Sequence, residues 1–501
     1  MVTINNNTTR IAWRLAAILF CAALFSACLN EDTSSIVSPD EYFQSVEQCQ
    51  TAVNGAYIPL KSIYTFKYMI AVEGTTDLSS ANGSAQVDAR ILISPANSGV
   101  GESIWPQCYI GIRNANCAIY GMEHSQLDPE EVFRPLCEAK ILRAYYYYIL
   151  TSFFGDVPFY EDYVKTVDDL KRVSSLPRMS AVETRKSLVD ELWEFAPRMK
   201  QIRTSDEPGN RCGAAMAWML IAKMQMWNQE WQGALTALEN LRNIYGDLSK
   251  YSLNDIPFRY KNTPESIFEI QHAYEKGGIN YASNCASVCM PHPRAGDSYN
   301  YDGVDIPELG NEAVAWSPLR PTPYFANSVM PAAAGDARRE NNMVSSWNGH
   351  RFSRTWMGPK FWCPGMYASN DSNNYKIFRY ADAVLMMAEC KCELGEYADA
   401  ITCLDEVKMR AGLPNYGAFK SKDKLSDEIR KERARELFGE FQRKYDLVRW
   451  GIWYKLTNQY NTYTDVQENI RPCHEYYPIP DQQVVASGYK LDNDAYKEYG
   501  L

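Results

Sequence analysis

Histidine and cysteine are the residues of this chain that could hold a metal or act as nucleophiles. The five histidines stand in no Gly-x-Ser-x-Gly, His-Glu-x-x-His, phosphate-loop or dinucleotide-binding pattern. Cys285, Cys289 and His292 lie within eight residues and could begin a zinc site, but no pattern for a fourth ligand follows them. An ordinary loop or a local disulfide fits these residues better. The sequence therefore predicts no metal, no cofactor and no catalytic residues.

Residues 275–375 combine the two kinds of group that bind sugars. Flat aromatic rings suit the C–H face of a pyranose, and polar side chains hydrogen-bond its hydroxyls. Irregular segments of this length in compact proteins are usually functional or disordered, and aromatic density argues against disorder. Core packing is the commoner fate of an aromatic ring, so only some rings are expected to face a ligand. The candidates are Tyr281, Tyr299, Tyr301, Trp316, Trp347, Trp356, Trp362 and Tyr367, with Asp297, Asn300, Asp302, Arg320 and Asn348 nearby.

The elements that must position this segment are mainly helices. In residues 136–154 apolar side chains recur at helical spacing and end at a Gly-Asp-Val-Pro turn, which predicts a buried helix. Residues 266–271 are the clearest strand prediction. The expected fold class is therefore mainly α. Helical periodicity also predicts helices at 42–60, 103–123, 180–199, 212–227, 231–245, 378–394, 397–411 and 425–450.

Two helix pairs share an internal spacing. Offsets of nine and three residues occur in Ala222, Trp231 and Ala234 and again in Ala388, Tyr397 and Ala400. These offsets match a tetratricopeptide repeat, in which small alanines let two helices approach and the aromatic ring fills the space where they meet. Gly395 precedes the aromatic residue of the second copy, and Gln229 stands at the corresponding place in the first. Any helical hairpin with small residues at its crossing is the alternative.

A charged stretch, residues 432–440, lies on a predicted helix whose apolar positions include Leu437 and Phe441. Arg433 and Glu436 are neighbours there at i and i+3. A structural ion pair explains them better than a catalytic role.

The N-terminus has the pattern of a bacterial lipoprotein signal. Arg10 and Arg14 precede an apolar run too short to span a bilayer comfortably, and small residues end that run before Cys28. In such signals the cysteine becomes the first mature residue and receives acyl chains such as palmitate, which together anchor stably. We predict a signal peptide over residues 1–27, lipidation of Cys28 and a flexible tether over residues 28–41. An ordinary signal peptide with chance cysteines is the alternative.

Composition limits the partners. The 501 residues carry a formal net charge of −10, and this becomes about −12 once the signal's two arginines are removed, so nucleic acid is not an expected partner. A hydrophobic fraction of 46% and an aromatic fraction of 13% allow a large core. The mature chain's cysteines other than Cys28 show no disulfide framework. Many free thiols in an exported protein suggest a reducing or oxygen-poor environment.

Several motifs occur in the order of one known family. With them the mature chain resembles, over essentially its whole length, the SusD/RagB family of outer-membrane lipoproteins. Residues 440–443 and the last residues depart from the family pattern, which affects helix packing and the tail. The motifs are AKILRAYYYY at 139–148, FGDVP at 154–158, FRYADAVLMMAE at 378–389, ERAREL at 432–437, YDLVRWG at 445–451 and YPIP at 477–480.

The resemblance implies a single-domain SusD-like fold, in which tetratricopeptide-like helix pairs pack against an irregular, loop-rich region. The expected organisation is an N-terminal helical region over 42–274 and a C-terminal region over 275–501. The latter contains the aromatic loops at 275–375 and a tetratricopeptide-like pair near 378–411. In the family a second group of loops, early in the chain, also faces ligand, and here it would include Asp77 and Asn82.

The same resemblance implies a surface-exposed lipoprotein of the outer membrane that is not an enzyme. It would bind a nutrient, with a glycan favoured, and deliver it to a SusC-like TonB-dependent transporter. Two other functions stay open. One is a secreted hydrolase acting on polysaccharide, whose carboxylates meet only in the fold, and the other is a tetratricopeptide-type scaffold that binds only protein partners.

Overall fold

The computed structural model describes residues 42–83, 86–294 and 297–501, without the side chains of residues 294 and 297–299. The predicted signal peptide, Cys28 and the tether lie outside the described residues. The helices are α1 (Val46–Ile63), α2 (Phe66–Glu73), α3 (Gly101–Glu123), α4 (Pro129–Phe153), α5 (Val167–Ser174), α6 (Ala181–Phe195), α7 (Ala214–Trp227), α8 (Trp231–Tyr245), α9 (Cys285–Cys289), α10 (Arg339–Asn342), α11 (Tyr380–Glu393), α12 (Tyr397–Arg410), α13 (Lys422–Glu436), α14 (Arg443–Arg449), α15 (Trp453–Tyr460), α16 (Thr464–Asn469), α17 (Asp481–Ala486) and α18 (Asp494–Lys497). The strands are β1 (Ser79–Ala81), β2 (Ser266–Ile270), β3 (Ala273–Tyr274), β4 (Asn280–Tyr281), β5 (Pro293–Arg294), β6 (Asp297–Tyr301), β7 (Val304–Asp305), β8 (Leu319–Pro321), β9 (Met343–Trp347), β10 (His350–Met357) and β11 (Tyr375–Arg379).

Helices dominate, which confirms the predicted fold class. The predicted buried helix is α4, which begins where the Asp128 side chain accepts a hydrogen bond from the Glu130 backbone N–H. It ends before Gly155, whose φ of 75° lies in the left-handed region. Its tyrosine run, residues 145–148, is buried throughout. Among the helices that the structure describes, none combines the length and apolarity needed to cross a membrane.

Helix pairs α7–α8 and α11–α12 occupy the places of the two predicted repeats, and α8 packs against α11. The four alanines of the repeat pattern are fully buried, whereas Trp231 is half-buried and Tyr397 is 43% exposed. Trp231 packs against the main core, whereas the Tyr397 ring does not fill its helix crossing as predicted. Tyr397 is the first residue of its helix, where the Cα–Cβ bond points back towards the N-terminus and directs the ring past the helix end.

The turns inside the two pairs share one backbone feature. Gly395 has a φ of 85°, and Gln229, at the corresponding place, has a φ of 60°. Left-handed backbone of this kind strains every residue except glycine. The first pair therefore keeps the turn geometry of the second without the residue that suits it.

Two short elements join distant parts of the chain. The predicted strand at 266–271 is β2, which pairs antiparallel with β11. Strand β11 runs directly into helix α11, so this pair fixes one end of the aromatic segment on the helical scaffold. Strand β1 also pairs antiparallel, with β8, and this pair joins the aromatic segment to the end of helix α2.

A second, smaller core lies within the segment that the sequence marks as aromatic loops. Helix α9 and the β9–β10 hairpin form the wall between the two cores. On β9, Met343 belongs to the main core and Val344 to the second, and on β10 Met357 and Trp356 divide in the same way. This division follows the two-residue period of a strand, whose successive side chains point to opposite faces. The segment is therefore a folded lobe with its own interior.

The predicted helix over residues 425–450 is wrong in its middle, because residues 437–442 separate α13 from α14. Gly439 and Phe441 have φ values of 72° and 65°, which a continuing helix cannot contain. A Cβ at position 439 would lie 2.5 Å from the Phe361 ring, so the break requires glycine.

The predicted ion pair between Arg433 and Glu436 is not formed, because both side chains are buried and pair with other elements. Burial alone would raise the pKa of Glu436, but Arg410, Arg379 and Arg338 bring that pKa well below its usual value. Helix α13 therefore places these charged side chains in the core and not on a face exposed to solvent. The partners are Asp382 and Asp446 for Arg433, and Arg338, Arg379 and Arg410 for Glu436.

Candidate functional site

An open cleft lies at the corner where helix α1 turns into helix α2. Its volume is about 840 Å³, within the range of about 300 to 1,000 Å³ that is usual for ligand sites. The corner is sharp because only Tyr64 and Thr65 separate the two helices. The lining comes from residues 61–67, 86–88, 99–100, 102–104, 106–107 and 282–284, together with His272 and Tyr375.

Buried tyrosines hold this corner in place. The hydroxyl groups of Tyr64 and Tyr68 contact those of Tyr145 and Tyr445, respectively. Burial raises the pKa of all four phenols well above the usual value, so the hydroxyls stay neutral and pair with one another. A buried tyrosine needs such a partner for its polar end. The tyrosine run of α4 therefore positions one wall of the cleft.

Asp88 fixes the floor of the cleft. Its carboxylate accepts hydrogen bonds from the Val100 backbone N–H at 3.0 Å and from the Tyr477 hydroxyl at 2.9 Å. Burial raises the pKa of Asp88, and these two hydrogen bonds oppose that rise. Gly99 has a φ of 55°, and a Cβ there would lie 2.4 Å from the same carboxylate. Tyr477 begins the YPIP motif, so that motif supports the cleft from within.

Two exposed aromatic rings lie beside the cleft, and each contacts one of its lining residues without lining the cleft itself. Trp316 is 42% exposed and packs edge-on against Phe66, a lining residue. The backbone N–H groups of Trp316 and Ser317 donate to the Ser287 carbonyl at 2.8 and 2.9 Å, which holds this ring in position. Tyr281 is 41% exposed and contacts Lys61, another lining residue.

Polar side chains from several segments line the same cleft. They are Lys61, Lys67, Glu102, Gln107 and Asn284. Neither lysine forms an ion pair within the part of the chain that the structure describes. Together these groups offer donors and acceptors for hydroxyls, and the two rings offer apolar faces. The arrangement can bind a polar, ring-shaped ligand without covalent chemistry.

Three of the predicted ligand-binding residues fill the second core. Tyr301, Trp356 and Trp362 are 0, 1 and 2% exposed, and their polar atoms are hydrogen-bonded internally. For example, the Trp356 Nε1–H donates to the Asp302 carboxylate at 3.1 Å. We remove the three from the candidate site, because a ring that fills a core presents no face to a ligand.

Trp347 and Arg320 are half-exposed but line no part of the cleft. The Trp347 Nε1–H donates to the Glu308 carboxylate at 2.8 Å. The Arg320 guanidinium lies 4.8 Å from the centre of the Trp356 ring. Both side chains therefore belong to the surface of the lobe, and their predicted contact with ligand stays a prediction.

Asp77 and Asn82 do not line the cleft either. Asp77 is fully buried, and Arg443 holds its two carboxylate oxygens at 2.9 and 2.7 Å. The expectation that Asp77 faces ligand is thus replaced by a structural role. Asn82 is half-buried. The Tyr299 side chain and Cys28 lie outside the described residues.

The cysteine cluster found in the sequence is part of the interior. The thiols of Cys285 and Cys289 are buried and lie 3.9 and 4.0 Å from the Met69 sulfur. They are not joined in a disulfide, and His292 is exposed outside helix α9. Among residues 42–83, 86–294 and 297–501, no group of three or more His, Cys, Asp or Glu is placed to hold a metal ion.

Sequence reasoning missed the corner that shapes the cleft. Residues 61–67 lie at the end of a predicted helix, and no motif marks Lys61 or Phe66 as a contact for ligand. One signal was present, because Thr65 before the apolar run of α2 is a typical helix-start residue. Tyr281 and Trp316 were among the predicted rings, and the structure brings both into contact with residues that line the cleft.

Fold and cleft together define a class, which is a helical-repeat binding protein with an open polar cleft that exposed aromatic rings border. Comparison with known sequences agrees. Residues 38–191 match a family described as "Starch-binding associating with outer membrane", and residues 364–494 match the SusD family. The chain belongs to the SusD family.

Relatives of known sequence or structure match nearly the whole chain. SusD-like protein P25 of Formosa agariphila is 25% identical over 93% of this chain and 95% of its own length. Surface glycan-binding protein A from Bacteroides uniformis superposes with a TM-score of 0.70 at 21% identity, covering 90% of this chain and all of its own. The protein of the same name from Bacteroides thetaiotaomicron, solved in complex with laminarihexaose, gives 0.68 at 20% identity over 89% and 98%. Both solved neighbours are named as surface glycan-binding proteins.

Proposed function

We propose that this protein is an outer-membrane lipoprotein that binds a glycan in the cleft at the α1–α2 corner and delivers it to a partner TonB-dependent transporter. One observation carries the proposal. The exposed rings of Trp316 and Tyr281 contact Phe66 and Lys61, which line a cleft that also presents amide and carboxylate groups, in a fold shared with proteins that bind glycans.

The geometry suits a sugar for physical reasons. A pyranose offers a C–H face that stacks on an aromatic ring and hydroxyls that need paired donors and acceptors. Trp316 is already held by the Ser287 carbonyl through its own backbone. Binding therefore costs little ordering of this ring, and preorganisation of that kind favours affinity.

The cellular setting follows from the family and the N-terminus. The family description associates such proteins with the outer membrane. Lipidation of Cys28 would supply the anchor, since several acyl chains hold a protein stably where one does not. The tether over residues 28–41 would then let the folded part reach a transporter beside it.

A glycan array followed by calorimetry tests the function directly. We expect saturable binding of an oligosaccharide class, no release of reducing ends on long incubation, and co-purification with a transporter from membranes. Steady release of reducing ends would favour a hydrolase instead. Co-purification without affinity for any glycan would favour a scaffold that binds only proteins.

A further inference from the structure

The cleft does not end at Lys61. A second hollow of about 340 Å³ opens beside it, and Lys61 lines both. Neighbouring residues divide between the two hollows, since Gln271 and Tyr281 line the second while His272 and Ala282 line the first. The partition is therefore about one side chain thick. The remaining lining residues of the second hollow include Asn54, Tyr57, Leu60, Arg211, Phe268 and Ile270.

Lys61 and Tyr281 form the partition. The Lys61 Nζ lies 3.4 Å from the centre of the Tyr281 ring, a cation–π contact. Strand pairing between Ala273 and Tyr281 sets the ring beside His272, whose ring centre is 6.0 Å away. Lys61 makes no ion pair or side-chain hydrogen bond with any residue the structure describes. Its three N–H donors are thus available to an acceptor oxygen on a ligand that crosses the partition.

The second hollow offers the same kinds of group as the first. The Tyr57 ring is half-buried, and the Arg211 guanidinium lies 5.2 Å from its centre. Arg211 is fixed by hydrogen bonds to Glu138 at 2.8 Å and to Asn54 at 2.7 Å. An aromatic ring beside rigid planar donors suits a further sugar residue. Asn54 and Gln271 are exposed, so the hollow opens to solvent.

We propose that the two hollows form one groove that a single glycan chain crosses, with the Lys61 ammonium donating to an oxygen of the sugar above the partition. This inference rests on the proposed glycan-binding function. It identifies the ligand class as an oligosaccharide long enough to occupy both hollows. The oxygen belongs either to a hydroxyl or to an acidic substituent, and these share the same acceptor chemistry.

A length series tests the groove. Calorimetry with the best oligosaccharide class, from disaccharide to octasaccharide, should show affinity that keeps rising after the shortest binder. Asn54→Trp fills the second hollow, and we expect it to weaken the longest ligand at least fivefold while the shortest binds unchanged. Val182→Trp, on an exposed position of α6 outside both hollows, is the control and should bind every length normally.

Lys61→Met tests the partition itself, because it keeps the side-chain length and removes the donors. We expect a loss of severalfold for a neutral chain and of tenfold or more for a chain with carboxylate or sulfate groups, which separates the two sources of oxygen. The extended groove is overturned if the longest ligand binds Asn54→Trp as it binds the wild type, or if Lys61→Met binds every ligand normally. Equal affinity for all lengths in the wild type would overturn it too, yet leave the glycan function standing. If no oligosaccharide binds the wild type, both proposals fall.

Discussion

The Trp316 indole meets the Phe66 ring edge-on, with the two centroids 4.9 Å apart. Phe66 packs against the main core, whereas Trp316 follows Ala315, a member of the second core. The contact therefore joins the two parts of the protein at the rim of the cleft.

Trp316→Ala should weaken glycan binding without unfolding the protein. Loss of the stacking face should cost about 0.5 to 1.5 kcal/mol, which corresponds to roughly 2- to 13-fold in affinity. The melting temperature should barely change, because this ring is 42% exposed. Tyr397→Ala is the matched control, since that ring is 43% exposed on helix α12 and lines no part of the cleft. Equal losses in both variants, or none in Trp316→Ala, would contradict the site.

Trp356→Ala and Trp362→Ala should act on stability. Each removes a fully buried ring from the second core, which typically costs about 3 to 5 kcal/mol. Urea unfolding followed by fluorescence or circular dichroism measures the loss. Protein that stays folded should bind glycan with wild-type affinity. Unchanged stability together with weakened glycan binding would instead show that the tryptophan contacts the ligand.

Gln229→Gly should stabilise the protein, and Gly395→Gln should destabilise it. Both positions have left-handed backbone, with φ of 60° and 85°. Relief of that strain is worth about 1 to 2 kcal/mol, and the extra chain entropy of glycine offsets about 0.5 to 1 kcal/mol of it. We expect opposite shifts in the free energy of unfolding of roughly 1 kcal/mol in size. Shifts of the same sign would show that contacts of these side chains outweigh backbone strain.

Glu73→Gln should change how stability depends on pH. Burial raises the pKa of Glu73 to about 8, and its one internal hydrogen bond, from the Phe441 N–H, only partly opposes this. A carboxyl with a raised folded-state pKa contributes stability that is complete below about pH 4.3 and is lost as the pH rises towards 8. The variant lacks this loss, so its stability relative to the wild type should grow by about 1.4 kcal/mol per pH unit between pH 5 and 8. Urea unfolding of both proteins at several pH values gives the difference, and parallel curves would show that Glu73 is charged in the fold.

Cys28→Ala should abolish labelling of the protein by radioactive palmitate. The reason is that the thiol of this residue is the predicted site of acylation. Cys21→Ala is the control, because the bulky Phe20 before it disfavours cleavage there. Unchanged labelling of Cys28→Ala would show that Cys28 is not the acylated residue.

The sequence predicted the long helices well because the spacing of their apolar residues is a local pattern. It missed the break between α13 and α14, because the break depends on the approach of Gly439 to Phe361, a contact between residues far apart in the chain. The buried position of Glu436 was missed for the same reason, since Arg338, Arg379 and Arg410 come from other elements.

The candidate ligand rings could be listed from the sequence, but the sequence did not show which of them are exposed and which are buried. Trp316 and Trp362 are each followed two residues later by a proline, yet Trp316 is exposed and Trp362 is core. Whether each ring is buried depends on which core its segment packs against, and amino-acid composition does not contain that information. Tertiary contacts alone also bring the α1–α2 corner to Trp316.

The wall between the two cores separates the helical scaffold from the lobe that carries the candidate ligand rings. Met343 and Val344 are neighbours in sequence but belong to different interiors, so a substitution at Val344 acts on the second core and one at Met343 acts on the main core. Recombination that exchanges this lobe as a cassette would bring new ring positions to the cleft in a single event.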